Sequence, residues 1–144
     1  MEKKKSGVNP KLLDILNQTL ALEYTLIIHY PRIADGIRDA ETKRLAQSLG
    51  TAAISHADTV ANAIKRLGGV PNWSFEPFAI DLDLKKTFRT QLAKEMSVLE
   101  LHKQIAGMVK DSSIRDTFKE LAIEDEGRVE IVERVLARLL FTNE

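Results

Sequence analysis

The sequence contains no cysteine. Disulfides, thiolate zinc sites, iron–sulfur clusters and cysteine nucleophiles are thereby excluded together, and histidine and carboxylate remain as the strong metal ligands. An excess of either charge is missing too: 21 Lys plus Arg stand against 21 Asp plus Glu. No bulk field therefore draws the chain to nucleic acid or to an anionic membrane, and neither is expected as a partner. Long apolar runs are absent as well, each being broken by charge within a turn or two, so no segment is expected to span a bilayer. The basic start from Met1 to Gly7 runs into Val8-Asn9-Pro10-Lys11, where a signal peptide would need continuous apolar residues. The expectation is a cytoplasmic protein with a flexible basic tail over residues 1–9. Residues 10–144 form one domain, in keeping with 44% hydrophobic and 29% charged residues in a chain of 144.

What is present is four amphipathic stretches. Leu12, Leu16, Leu20, Ile27 and Tyr30 recur at alternating four-three spacing from Pro10 to about Ile37, the pattern that lines one side of a helix. Asp39 caps a second helix, traced by Leu45, Leu49, Ala52, Val60, Ala63 and Leu67 until Gly68-Gly69 and Pro71 stop it. Residues 68–83 carry Trp73, Phe75, Pro77 and Phe78 without helical period and read as an ordered connection with an apolar underside. A third helix runs from about Leu84 to Val109. The turn at Asp111-Ser112-Ser113 caps a fourth, which carries Ile114, Phe118, Leu121, Val132, Val135 and Leu139. Short turns make the first pair antiparallel and the last pair antiparallel. The long connection can extend about 50 Å, enough to return the third helix to the starting end of the second, roughly 40 Å away. The fold class is therefore all-α, an up-down-down-up four-helix bundle with a long crossover.

Ionisable residues interrupt each apolar stripe while keeping its phase: Glu23, His56, Glu95, and Asp125 with Arg128. All fall near the middles of their helices, so they are expected to arrive at one level of the bundle. Buried carboxylates without partners cost several kcal/mol or shift their pKa, so something positive must sit among them. His102, one heptad beyond Glu95, reads as a hydrogen-bonded core histidine, and Tyr30 as core or as a second-layer partner of the site.

Di-iron ferritin-like bundles take one Glu from each of two helices and a Glu-x-x-His from each of the other two. The sequence resembles that pattern over nearly the whole chain after the tail, and looks closest to bacterioferritin. The resemblance rests on Leu22-Glu23-Tyr24 with Tyr30, on Ser55-His56-Ala57-Asp58 leading to Arg66-Leu67-Gly68-Gly69-Val70-Pro71, on Leu92-Ala93-Lys94-Glu95, and on Glu124-Asp125-Glu126-Gly127-Arg128. It implies a ferritin-like fold with Glu23, His56, Glu95 and Asp125 as candidate metal ligands. It also marks two departures. The second-helix motif reads Ala53-Ile54-Ser55-His56 and the fourth-helix motif Asp125-Glu126-Gly127-Arg128. Ile54 stands where bacterioferritin-like chains carry a haem-binding methionine, so no haem is expected. The chain ends a few residues after the fourth helix, so a homodimer is expected rather than a 24-subunit cage.

Three carboxylates and one arginine leave a charge of minus two, which one divalent ion neutralises; Arg128 would then replace the second metal of a two-metal site. Imidazole and carboxylate suit iron, manganese and zinc, with iron first by resemblance. The resulting expectation is a mononuclear metal site of redox or oxygen-handling kind. The alternative is a metal-free helical scaffold with a buried Arg-carboxylate network, acting through dimerisation or partner binding. Two-iron ferroxidase chemistry fits poorly, because Ala53 removes one bridging carboxylate and Asp125 shortens the other.

Overall fold

Four helices account for the computed structural model, which describes residues 9–142: α1 (Pro10–Asp35), α2 (Ala40–Arg66), α3 (Leu84–Met108) and α4 (Ser112–Leu139). The basic tail lies outside the described residues but for Asn9. Each helix starts on a residue whose short side chain accepts an otherwise unpaired amide of the first turn. Asn9 serves α1 with Pro10 behind it, Asp39 serves α2, Asp83 serves α3, and Asp111 serves α4 through the amides of Ser113 and Ile114. Gly68, at φ 86°, takes the left-handed conformation that ends α2.

Contacts across the bundle fix the directions. Tyr30 meets Glu95 and Glu23 meets His102, so rising numbers in α1 face falling numbers in α3. His56 meets Glu124 and Leu49 meets Arg128, so α2 and α4 are also antiparallel. With α1 against α2 and α3 against α4 as the other neighbours, α2 and α3 run parallel across one diagonal and α1 and α4 across the other. This is the up-down-down-up arrangement expected from the loop lengths.

The crossover from Leu67 to Asp83 runs alongside α1 and is tied to it. Asn17 bonds both the Val70 carbonyl and the Asn72 amide, Thr25 accepts the Glu76 amide, and His29 Nε2 lies 2.7 Å from the Glu76 carbonyl. Tyr24 meets both Trp73 and Phe75 edge-on at 5.4 Å, and Phe78 packs on His29.

Two apolar clusters fill the interior. Leu16, Leu20, Val60, Ile64, Ile105 and Phe118 centre one; Leu26, Leu49, Phe88, Val132, Val135 and Leu139 centre the other. Burial of each such side chain contributes about 1.5–3 kcal/mol, which makes these clusters the main stabilising force. A Cβ on Gly50 would lie 3.0 Å from Tyr30 Cβ, so glycine lets α2 approach α1 closely beside that tyrosine. Among the described residues no helix is long and apolar enough to cross a membrane.

Candidate metal centre

Between the two apolar clusters lie buried polar side chains, arranged in two layers rather than the single level expected from their mid-helix positions. Glu23 and Tyr30 are a heptad apart on α1, as are Glu95 and His102 on α3. Seven residues rise about 10 Å along a helix, and because α1 and α3 are antiparallel, Tyr30 is matched with Glu95 and Glu23 with His102.

One layer is closed on itself. Arg128 donates from Nε to Glu95 Oε1 at 2.9 Å and from Nη2 to Glu95 Oε2 at 2.7 Å, while its Nη1 reaches the Leu49 carbonyl on α2 at 2.9 Å. Tyr30 donates its hydroxyl to Glu95 Oε2 at 2.6 Å. Both carboxylate oxygens and all three guanidinium nitrogens are thus bonded in the interior, the bidentate geometry for which arginine is suited. Burial pushes the Tyr30 phenol well above its ordinary range, and the Glu95 charge pushes it further. Burial opposes the charge of Arg128, yet Glu95 raises its pKa above the ordinary arginine value.

The other layer holds Glu23, His56, His102 and Asp125, and it is not closed. One ligand-capable atom each from Glu23, His102 and Asp125 lies within 4.8 Å of the other two, and all three residues are buried. His102 Nδ1 is bonded to Asp125 Oδ2, and its Nε2 stands 3.3 Å from Glu23 Oε2. His56 Nδ1 lies 3.6 Å from Glu23 Oε2 and 3.4 Å from Asp125 Oδ1. Both Glu23 oxygens, His102 Nε2, His56 Nδ1 and Asp125 Oδ1 are buried without a hydrogen-bond partner. Five such atoms facing one another are costly unless a cation or shared protons sit among them.

Charge reinforces the point. Burial tends to neutralise His56, but the carboxylates of Asp125 and Glu23 more than offset it and push its pKa up to about 10. His102 is likewise raised against burial by Asp125 and Glu23. Burial pushes Glu23 and Asp125 up, and the two imidazoles reverse this and hold both below the ordinary carboxylate range.

The sequence-expected residues are thus distributed unequally. Glu23, His56 and Asp125 meet in the open layer; Glu95 lies in the other, paired with Arg128, with Tyr30 as its hydrogen-bond donor. The residue that sequence reading left out is His102. Its signal was the heptad spacing to Glu95, which mirrors that between Glu23 and Tyr30.

Residues 13–140 match the family model of the ferritin-like domain. The chain belongs to that family. Among solved structures similar to this ferritin-like chain is a ferritin-like, diiron-carboxylate protein of Bacillus anthracis, 19% identical, with a TM-score of 0.80 over 94% of this chain and 99% of that one. A Rhodobacter capsulatus bacterioferritin, described with a metal-free dinuclear site and haem iron, is 26% identical at a TM-score of 0.73 over 90% of this chain and 86% of that one. A dodecameric thioferritin of Bacteroides fragilis is 20% identical at a TM-score of 0.75, over the same shares. No curated protein matches the sequence. Ferritin-like two-metal bundles are built on two Glu-x-x-His motifs. Ala53 and Arg128 stand at the ends of those motifs here, and Ala53 is fully buried.

Proposed function

We propose that this ferritin-like chain binds one divalent metal ion, iron first, among Glu23, His102 and Asp125, with His56 as a further nitrogen donor, in a site of redox or oxygen-handling kind. The observation that carries this reading is the set of five buried, unpartnered donor atoms on four residues. Their chemistry fits the ion: imidazole nitrogen and carboxylate oxygen suit iron, manganese and zinc, and the relatives named for iron chemistry favour iron. Iron held there would supply one-electron chemistry.

The chain's own residues supply the rest. His102 donates its Nδ1 proton to Asp125, which fixes the ring and leaves Nε2 toward Glu23; a histidine held by a carboxylate in this way is a better ligand. Two carboxylates and two neutral imidazoles balance one divalent charge. Among the described residues a second ion has no comparable donors, since Glu95 is bonded at both oxygens to Arg128 and Ala53 has no ligand atom. Arg128 therefore takes the electrostatic part of a second metal, and the site is mononuclear. Ile54 has no ligand atom, so haem has no place in this reading.

The rival is a metal-free scaffold, favoured by one fact: two imidazolium ions also balance Glu23 and Asp125. Thermal unfolding separates the two. Ferrous iron added without oxygen at about 100 times its Kd is expected to stabilise the wild type by about 2.7 kcal/mol. The gain is reversed by chelator and lost in His102→Ala. A scaffold gives no shift in either protein.

A further inference from the structure

The four residues of the open layer are almost wholly enclosed: Glu23, His102 and Asp125 are each 0% exposed and His56 4%. An ion reaching them from water needs a way in. One residue of the layer touches the outside. His56 Nε2 lies 2.7 Å from Oε1 of Glu124, whose side chain is 61% exposed, while Nδ1 of the same ring faces Glu23 and Asp125. The imidazole is thus a one-residue wall with a solvent carboxylate on its outer nitrogen and the buried donors on its inner one.

We propose that Glu124 captures the hydrated cation and that His56, latched by Glu124, is the door through which the ion enters the buried layer. The inference rests on the metal-binding reading above and adds the route. Glu124 precedes Asp125 on α4, so the outer and inner carboxylates are fixed by one turn of helix. Glu120, one turn earlier on the same flank, is also exposed and adds negative potential outside the door.

Gly127 is the second, independent observation. It lies in the middle of α4, is exposed, and a Cβ there would meet nothing within 4 Å. Neither close packing nor a positive φ requires glycine, although it disfavours the helix. Three residues from Glu124, it is that residue's neighbour on the helix surface, so the absent side chain keeps the rim beside the door uncovered. With the door shut, the Glu124 contact holds His56 Nδ1 toward the interior, where it faces Glu23 and Asp125. When an ion takes the place of the proton on Nδ1, the Glu124 carboxylate keeps the remaining N–H on the outer nitrogen and so leaves the inner one to the ion.

Stopped-flow loading with cobalt(II), read by its visible absorption, tests the route separately from the site. Equilibrium uptake reports the site: one ion per chain is expected in wild type, Glu124→Ala, Glu124→Gln and Gly127→Leu alike. Rate reports the route. Glu124→Ala and Glu124→Gln are expected to load about tenfold more slowly and with weaker salt dependence, because the carboxylate at the door is gone and only that of Glu120 remains. Glu124→Asp restores much of the rate, and Gly127→Leu slows entry with Glu124 intact. Wild-type rates in both Glu124→Ala and Gly127→Leu would overturn the route while leaving the site standing. Reduced uptake in Glu124→Ala at an unchanged rate would make Glu124 a ligand and also overturn it. No uptake by the wild type would overturn the metal-binding reading and the route together.

Discussion

Arg128 and Glu95 form a two-pronged ion pair in the interior of the bundle, at 2.9 and 2.7 Å, each 5% exposed or less. Charges so far from water depend on each other, because either alone would keep its desolvation cost without the offsetting attraction. Arg128→Ala is therefore expected to destabilise the fold by about 3–5 kcal/mol in chemical denaturation. Uptake of the ion by Glu23, His102 and Asp125 should survive under native conditions, since Arg128 makes no bond to any of them.

How much of this was legible in the sequence depends on the kind of signal. The four helices and the parallel relation of α2 and α3 follow from periodicity and loop length, and the caps at Asp39 and Asp111 from residue type, all of which are local quantities; the caps at Asn9 and Asp83 appear only in the structure. Glu23, His56, Glu95 and Asp125 were visible because each carries charge on an apolar stripe. The separation of Glu95 from the other three was not visible in the stripes alone, because phase around a helix does not give height along the bundle. Height follows once α1 is known to oppose α3: the Glu23–Tyr30 heptad then pairs in reverse with the Glu95–His102 heptad. His102 passed for a core histidine for the same reason. Its hydrogen bond to Asp125 agrees with that reading, and its free Nε2 goes beyond it.

The pH dependence follows from the shifts in the open layer. In the metal-free protein the pKa of His56 is raised from 6.5 to about 10 and that of His102 is raised as well. Groups with raised folded-state pKa contribute stability that is complete below about 6.5 and lost as pH climbs toward 10. Glu23 and Asp125 are lowered, so their contribution is present above their ordinary values of 4.5 and 3.8 and fades as pH falls below them. Denaturation of the metal-free protein across pH should show a plateau between these limits and a decline of roughly a few kcal/mol on the alkaline side.

Metal and protons compete for the same lone pairs. At neutral pH the His56 imidazole is charged in the metal-free protein and His102 is shifted in the same direction, so binding one divalent ion is expected to release at least one proton. Calorimetric titration in buffers of different ionisation enthalpy measures that number, and affinity should rise with pH up to about 10, the His56 value.

On the one-ion reading, Ala53 and Arg128 together keep out a second metal. Ala53→Glu combined with Arg128→His adds two donors and frees Glu95 from its arginine. The double variant is expected to bind two ions per chain, by anaerobic ferrous titration, where either single change still binds one.

Gly127 gives a test of stability alone. Nothing in the fold requires glycine there, so Gly127→Ala is expected to stabilise α4 by about 1 kcal/mol in thermal unfolding, with metal uptake at equilibrium unchanged.

The central claim is one ion per chain, held by Glu23, His102 and Asp125 while Arg128 occupies Glu95. Elemental analysis after anaerobic loading with ferrous iron and removal of the excess tests it most directly, with His102→Ala alongside the wild type. One iron per wild-type chain and none in His102→Ala is the expected result; two per wild-type chain, or none, would contradict the account.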